Sequence, residues 1–206
     1  MNRVLRTALG VLSSALLTAC SSQPTPMPTQ HALLATIPTA EYDRNILGYA
    51  AQAYPGDTLD DVLAETARAM EDFVASIPED SLGARYRRGA WTVGEVLQHV
   101  ISYEHIMAES ALMIAGRAPR PLRYQRYTQA GTAAGAVGKS RADLLADFRA
   151  AHAETVAAFA QLSDAELRIV GRHEGFRTSP RVLALCLSGH QAHHFGELRE
   201  RYGVGA

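Results

Sequence analysis

Apolar residues recur at helical spacing in four stretches of this 206-residue chain. The first stretch runs from Leu59 to Ile77, and its apolar positions follow the 3.6-residue period of an amphipathic helix. Comparable stretches begin after Thr92, Ser140 and Ser179. Each stretch directly follows a Ser or a Thr, and in the first three an acidic residue comes three positions later, as in a capping box. The pattern therefore predicts four helices of roughly 20 residues each.

The ends of these predicted helices coincide with residues that stop helices. Pro78 ends the first, Gly116 can close the second as its C′ residue, and the fourth continues to about Tyr202. Four amphipathic helices of this length predict an all-α four-helix bundle over residues 55–206. A long crossover, residues 117–139, joins helices two and three and could cross the whole bundle. Its basic and aromatic first half fits either a lid over an anionic ligand or a solvated connection.

Residues 1–19 have the layout of a bacterial signal peptide. Two arginines precede an apolar run that is too short to span a membrane. The following Leu17-Thr18-Ala19-Cys20 resembles the lipobox of bacterial lipoproteins, which implies cleavage before Cys20 and a lipid on its sulfur; an ordinary secretory signal is the alternative. Residues 20–54 are then expected to form a lipid-anchored flexible tether, Pro-rich up to residue 40, and a short N-terminal extension over 41–54.

The residue after Cys20 indicates where the protein is located, and the net charge limits the classes of partner it can bind. Ser21 replaces the aspartate that retains such proteins at the inner membrane of enteric bacteria, so we expect an outer-membrane location facing the periplasm. Loss of residues 1–19 removes two of the 20 basic residues and none of the 21 acidic ones, which leaves a net charge of −3 and no basic patch for nucleic acid. With Cys20 lipidated, Cys186 has no disulfide partner, and its apolar neighbours predict a core position.

Three histidines are the strongest candidates for chemistry. His190 and His194 are four apart, so their side chains leave one helical face about 40° from each other. His99 lies near the apolar face of its own predicted helix, where it could complete a metal site with an open coordination position, as catalytic sites have. Spacing alone also allows His190 with His193, and buried core histidines without a metal remain the alternative. Histidines expected elsewhere are His31 in the tether, His173 in a loop and His105 at the periphery of its helix.

Two segments resemble a known family. Trp91-Thr92-Val93-Gly94-Glu95-Val96-Leu97-Gln98-His99 resembles the opening motif of DinB-type proteins, and His190-Gln191-Ala192-His193-His194 resembles their closing His-x-x-His-His motif. With the capped helices between them, the resemblance covers roughly residues 57–203. It implies His99, His190 and His194 as metal ligands, His193 as non-ligating and Trp91 as a residue that packs the helix start. The resemblance also allows a homodimer, although no apolar stripe requires one.

The expected chemistry follows from the three imidazoles and from Glu197. Neutral imidazoles suit several divalent metals, of which we expect zinc or nickel. Glu197 stands where relatives often have glutamine, and it could orient a ligand, act as a base, or pair with Arg201 on the surface. The resemblance implies a metal-dependent hydrolase or a thiol S-transferase, and the scarcity of thiol cofactors outside the inner membrane favours the hydrolase. A non-catalytic metal- or small-molecule-binding module of the cell envelope is the alternative from another class.

Overall fold

The computed structural model describes residues 31–118 and 134–205. Its helices are α1 (Ala32–Ala35), α2 (Leu47–Ala50), α3 (Leu59–Ser76), α4 (Val93–Ile114), α5 (Arg141–Ala160), α6 (Asp164–Leu167) and α7 (Pro180–Glu197). Short 3-10 turns cover Thr39–Glu41, Arg44–Ile46, Glu79–Gly83 and Ala134–Ala136, and α7 continues into a π-turn over Leu198–Tyr202. A small hairpin joins β1 (Gly171–His173) to β2 (Phe176–Thr178). The predicted all-α architecture is confirmed, with α3, α4, α5 and α7 as the four long helices.

Local hydrogen bonds explain why the long helices begin where they do. In the first three, the N-cap hydroxyl accepts from the third backbone N–H, and the acidic side chain at that position bonds back to the N-cap N–H. These capping boxes pair Thr58 with Asp61, Thr92 with Glu95, and Ser140 with Asp143. Helix α7 differs, because the side chain of Ser179 does not cap it but donates to Glu41 at 2.8 Å. Pro180 at the first helical position starts α7 instead.

The bundle places its first two long helices at opposite corners. Both α3 and α4 pack against both α5 and α7. The chain therefore crosses the bundle between α3 and α4, whereas α4 and α5, on either side of the long connection, are neighbours. Residues 119–133 of that connection lie outside the described residues. At the centre, Phe73 of α3 stacks on Phe195 of α7 with ring centroids 3.9 Å apart, beside the buried Leu97 and Phe148.

The N-terminal segment corrects one expectation. Residues 31–40 were predicted to continue the tether, but they fold, and Leu34 and Ile37 are buried against α7 in a cluster that includes Val182. His31, also predicted in the tether, is buried and accepts a hydrogen bond from the Leu33 N–H at 3.2 Å. The Pro- and Thr-rich composition concealed a short apolar segment whose order comes from contacts with the bundle. Residues 41–54, expected as a short extension, contribute Tyr42, Ile46 and Ala50 to the same cluster.

The hairpin was also not predicted. Glu174 and Gly175, the two residues between its strands, both have positive φ, which suits the tight turn of a two-residue hairpin. His173 therefore lies in a strand and not in a loop, and its Nδ1 is 2.9 Å from the Ser110 hydroxyl. Among the described helices, none combines the length and apolarity that a membrane crossing requires. Cys186 is a core residue as predicted, and burial raises the pKa of its thiol to about 12.

Candidate metal centre

Helices α4 and α7 bring the three predicted histidines together at one point. The Nε2 atom of His190 lies 3.1 Å from Nε2 of His99 and 3.1 Å from Nε2 of His194. One ligand atom from each residue falls within 4.8 Å of the other two. His190 is buried, whereas His99 and His194 are each partly exposed, so solvent reaches the cluster from both of these residues.

The arrangement of the nitrogens fits a divalent cation. Ligand nitrogens about 2.0–2.1 Å from a tetrahedral zinc ion are separated by about 3.3 Å, close to the spacing observed. His194 Nδ1 lies 3.0 Å from Glu197 Oε2, which favours the proton on Nδ1 and leaves the Nε2 lone pair facing the cluster. His190 Nε2 can donate to only one of its two neighbours. At least one lone pair is thus left for a cation to accept.

Electrostatics keep all three imidazoles neutral, which is the state that binds metal. Burial, and then the neighbouring His194, lowers the pKa of His99 to about 4. Burial, and then His193, lowers the pKa of His194 to about 4. The pKa of His190 falls well below the ordinary histidine value, mainly through burial and then through the surrounding histidines. At neutral pH the centre is therefore a set of uncharged nitrogen donors.

Glu197 connects the centre to the surface. Its Oε2 accepts from His194 Nδ1, and its Oε1 lies 3.1 Å from Arg201 Nη1. The ligand-orienting contact and the surface pair, weighed as alternatives from the sequence, are thus both present. A carboxylate on the second nitrogen of a metal-binding histidine fixes the ring and its tautomer. With both oxygens engaged, the geometry supports an orienting role for Glu197 more directly than a role as a base.

Other histidines near the centre lie further from it. His193 points towards Glu197, with 3.7 Å between Nε2 and Oε2, and its side chain is 37% exposed. His193, His194 and Glu197 form a second group of potential ligands, which shares only His194 with the first centre. His105 is separate, with its Nδ1 3.3 Å from Glu154 Oε2. The structure therefore joins His190 to His194, and not to His193, in the buried set.

Aromatic residues contact the rings of the candidate ligands, and the sequence did not predict most of these contacts. Tyr103 stacks on His190 with centroids 3.7 Å apart, and Tyr49 of the N-terminal extension meets the same ring edge-on at 5.2 Å. These contacts fix a ring whose Nδ1 has no hydrogen-bond partner among the described residues. Trp91 was expected only to pack the helix start; it does pack on the core, and its ring also lies 5.1 Å from that of His99.

A glycine within α7 explains how Tyr49 reaches the centre. A Cβ at position 189 would lie 1.8 Å from the Tyr49 carbonyl oxygen, so only glycine allows this approach. A glycine in the middle of an apolar helix indicates such a close contact from sequence alone, although it does not say what makes it.

Comparisons with known proteins identify the family of this chain. The model of the DinB superfamily matches residues 62–198, which is more than half of the chain. The chain belongs to the DinB superfamily. A solved structure of YfiT from Bacillus subtilis, described as a probable metal-dependent hydrolase with an unusual four-helix bundle topology, is similar in fold at 19% identity and a TM-score of 0.51. That match covers 77% of this chain and 98% of YfiT. None of the curated proteins compared with the chain matches it significantly.

The limits of the match show what the DinB region includes. His99, His190 and His194 lie inside it, together with Tyr103 and Glu197. Tyr49 and the rest of the folded extension precede it. The wall that Tyr49 adds to the centre therefore lies beyond the part of this DinB protein that the family model matches.

Proposed function

We propose that this DinB protein is a hydrolase that depends on one divalent cation, zinc before nickel, held by His99, His190 and His194. The observation that carries the proposal is the convergence of three neutral imidazole nitrogens from α4 and α7, with 3.1 Å between His190 Nε2 and each of the other two. The description of YfiT as a probable metal-dependent hydrolase supports the same class of activity.

The residues around the centre have separable roles in this proposal. A cation held by three imidazoles supplies a Lewis acid that lowers the pKa of water and polarises a carbonyl group. Glu197 keeps the proton of His194 on Nδ1, so that Nε2 faces the centre. Tyr103 and Tyr49 fix the plane of His190. In the net reaction an acyl C–O or C–N bond breaks, water gives its oxygen to the acyl carbon, and the leaving group gains a proton.

Metal analysis is the first test. The full chain, purified in mild detergent without chelator, should hold near one equivalent of zinc or nickel, and a His190→Ala, His194→Ala double variant should hold none. His105→Ala is the matched control, because His105 contacts Glu154 away from the centre, and it should retain the metal. Equal metal content in the parent and the double variant would refute the site.

Turnover separates a hydrolase from a binding module. Hydrolysis of 4-nitrophenyl acetate by the metal-loaded protein should stop with a chelator and return with added zinc. If the double variant hydrolyses the ester as fast as the parent, the activity does not come from this centre. Tight metal binding without hydrolysis of any ester or amide tested would favour the non-catalytic alternative.

We also propose that the chain is anchored in the cell envelope through a lipid on Cys20, facing the periplasm from the outer membrane. The support is the leader of residues 1–19 and the Leu17-Thr18-Ala19-Cys20 sequence, all of which precede the described residues. Labelled palmitate should enter the parent and a Cys186→Ala control but not a Cys20→Ala variant. Recovery of unlabelled parent in the soluble fraction would contradict the anchor.

A further inference from the structure

A pocket of about 300 Å³ opens beside the metal centre, a volume at the small end of ligand sites. His194 and Glu197 form the end of the pocket that meets the centre. The side chains that decide its chemistry are Tyr86, Arg87, Trp91, Arg201 and Tyr202. A substrate that reaches the three histidines from this side must contact those walls.

Two guanidinium groups line the pocket, and only one is neutralised there. Arg201 lies 3.1 Å from Glu197, so their charges offset each other. Arg87 donates from Nε to the Tyr86 hydroxyl at 3.1 Å, and no carboxylate in the described part of the chain forms an ion pair with it. Because the imidazoles are neutral, the pocket wall carries one uncompensated positive charge even before a cation binds. Because this hydrogen bond uses Nε, the two terminal amino groups of Arg87 can still bind a ligand.

The aromatic walls are held in place by one another. The Tyr202 hydroxyl donates to the Trp91 carbonyl oxygen at 2.9 Å, and the rings of Tyr86 and Tyr202 meet edge-on at 5.0 Å. The guanidinium of Arg87 lies over the Tyr86 ring, 5.3 Å from its centroid. Tyr86 and Arg87 are both exposed, so dissolved salt screens the charge on this wall.

We infer that the pocket selects small substrates that carry a carboxylate, which binds Arg87 while the scissile acyl bond lies at the His194 end. The inference rests on the proposed hydrolase function. One carboxylate matches the one uncompensated guanidinium in charge, and its two oxygens match the planar pair of amino groups. A phosphate dianion would leave one negative charge without a partner on this wall.

Two hydroxamates of the same size test this selectivity without turnover. Succinate monohydroxamate carries the carboxylate, and its succinamide analogue carries a neutral carboxamide in the same place. Calorimetric titration of the zinc-loaded full chain should give about tenfold tighter binding of the carboxylate probe, with a preference that shrinks as salt is added. In Arg87→Gln the preference should fall below about twofold while the zinc content stays at that of the parent. Arg88→Gln removes the neighbouring exposed charge outside the pocket and should keep the preference.

The outcomes separate the two proposals. If the parent binds both hydroxamates equally, the anion selectivity is wrong and the metal centre stands. If Arg88→Gln loses the preference as fully as Arg87→Gln, the preference reflects general surface charge, which also overturns the assignment to Arg87. If the zinc-loaded parent binds neither probe, or holds no zinc, the hydrolase centre fails and the selectivity fails with it.

Discussion

The contact between Gly189 and the N-terminal extension allows a direct test of how the centre is built. In Gly189→Ala, the new Cβ would lie 1.8 Å from the Tyr49 carbonyl oxygen and 2.6 Å from its carbonyl carbon, whereas ordinary contacts begin at 3.4 Å. Backbone atoms must therefore separate by roughly 1.6 Å, which shifts α2 away from α7. Overpacking of this kind destabilises by about 1–3 kcal/mol, equivalent to a melting temperature lower by about 3–10 °C in a domain of this size.

The measurement is urea and thermal unfolding of the metal-free protein followed by circular dichroism, so that lost metal cannot account for the change. Gly196→Ala is the control, since it lies in the same helix with nothing within 4 Å of its Cβ, and its helix propensity should raise stability by up to about 1 kcal/mol. Trypsin should also cut Gly189→Ala faster after Arg44, which lies in the displaced extension. Equal stability of the two alanine variants would refute the close approach of Tyr49.

Three further changes probe the buried polar groups. Glu197→Ala should weaken zinc binding by about 10–100-fold in a competitive chelator titration, because the His194 ring loses its acceptor, and unchanged affinity would rule out the orienting role. The unfolding free energy of the metal-free protein should fall as the pH drops from 6.5 towards 4, because the unfolded chain binds protons that the folded chain excludes. The fall should reach up to about 1.4 kcal/mol per pH unit for each of His99 and His194. An unfolding free energy that does not change with pH in denaturant titrations would contradict their lowered pKa values. Glu104→Leu should lower the free energy of unfolding in urea by about 3 kcal/mol, because its buried partner His152, 3.0 Å away in the parent, loses that contact. Adding His152→Leu should recover part of this stability, and a double variant no more stable than Glu104→Leu would argue against the pairing.

The long helices could be predicted because their signals are local. A capping box is complete within four residues, so Thr58, Thr92 and Ser140 mark their helix starts without help from the rest of the fold. The hairpin and α1 are different, because neither is long enough to be stable alone. Leu34 is ordered by its burial against α7, and such tertiary contacts leave little trace in local composition.

The candidate site likewise combines features that local sequence predicts with features that only tertiary packing determines. The helical period places His190 and His194 on one face, but only the arrangement of the bundle decides that His99 of α4 faces them. Its apolar neighbours made His99 a candidate and the DinB resemblance implied it as the third ligand; the structure places its Nε2 3.1 Å from that of His190. Tyr49 could not be predicted, because Gly189 indicates a close neighbour without identifying it. The mutual distances of the three Nε2 atoms likewise follow from packing and from no sequence rule.

Glu197 joins the metal centre to the pocket, and its replacement by glutamine separates the two roles. A glutamine oxygen at this position can still accept from His194 Nδ1, so the ring keeps its orientation. The amide cannot neutralise Arg201, which now lies 3.1 Å from the carboxylate, so the pocket wall gains a second uncompensated positive charge. Glu197→Gln should therefore keep zinc within about threefold of the parent affinity, unlike Glu197→Ala, while binding succinate monohydroxamate about 3–10-fold more tightly relative to its neutral analogue. Weaker zinc affinity together with an unchanged probe preference, measured at saturating zinc, would mean that the charge of Glu197 serves His194 alone and that Arg201 takes no part in the field of the pocket.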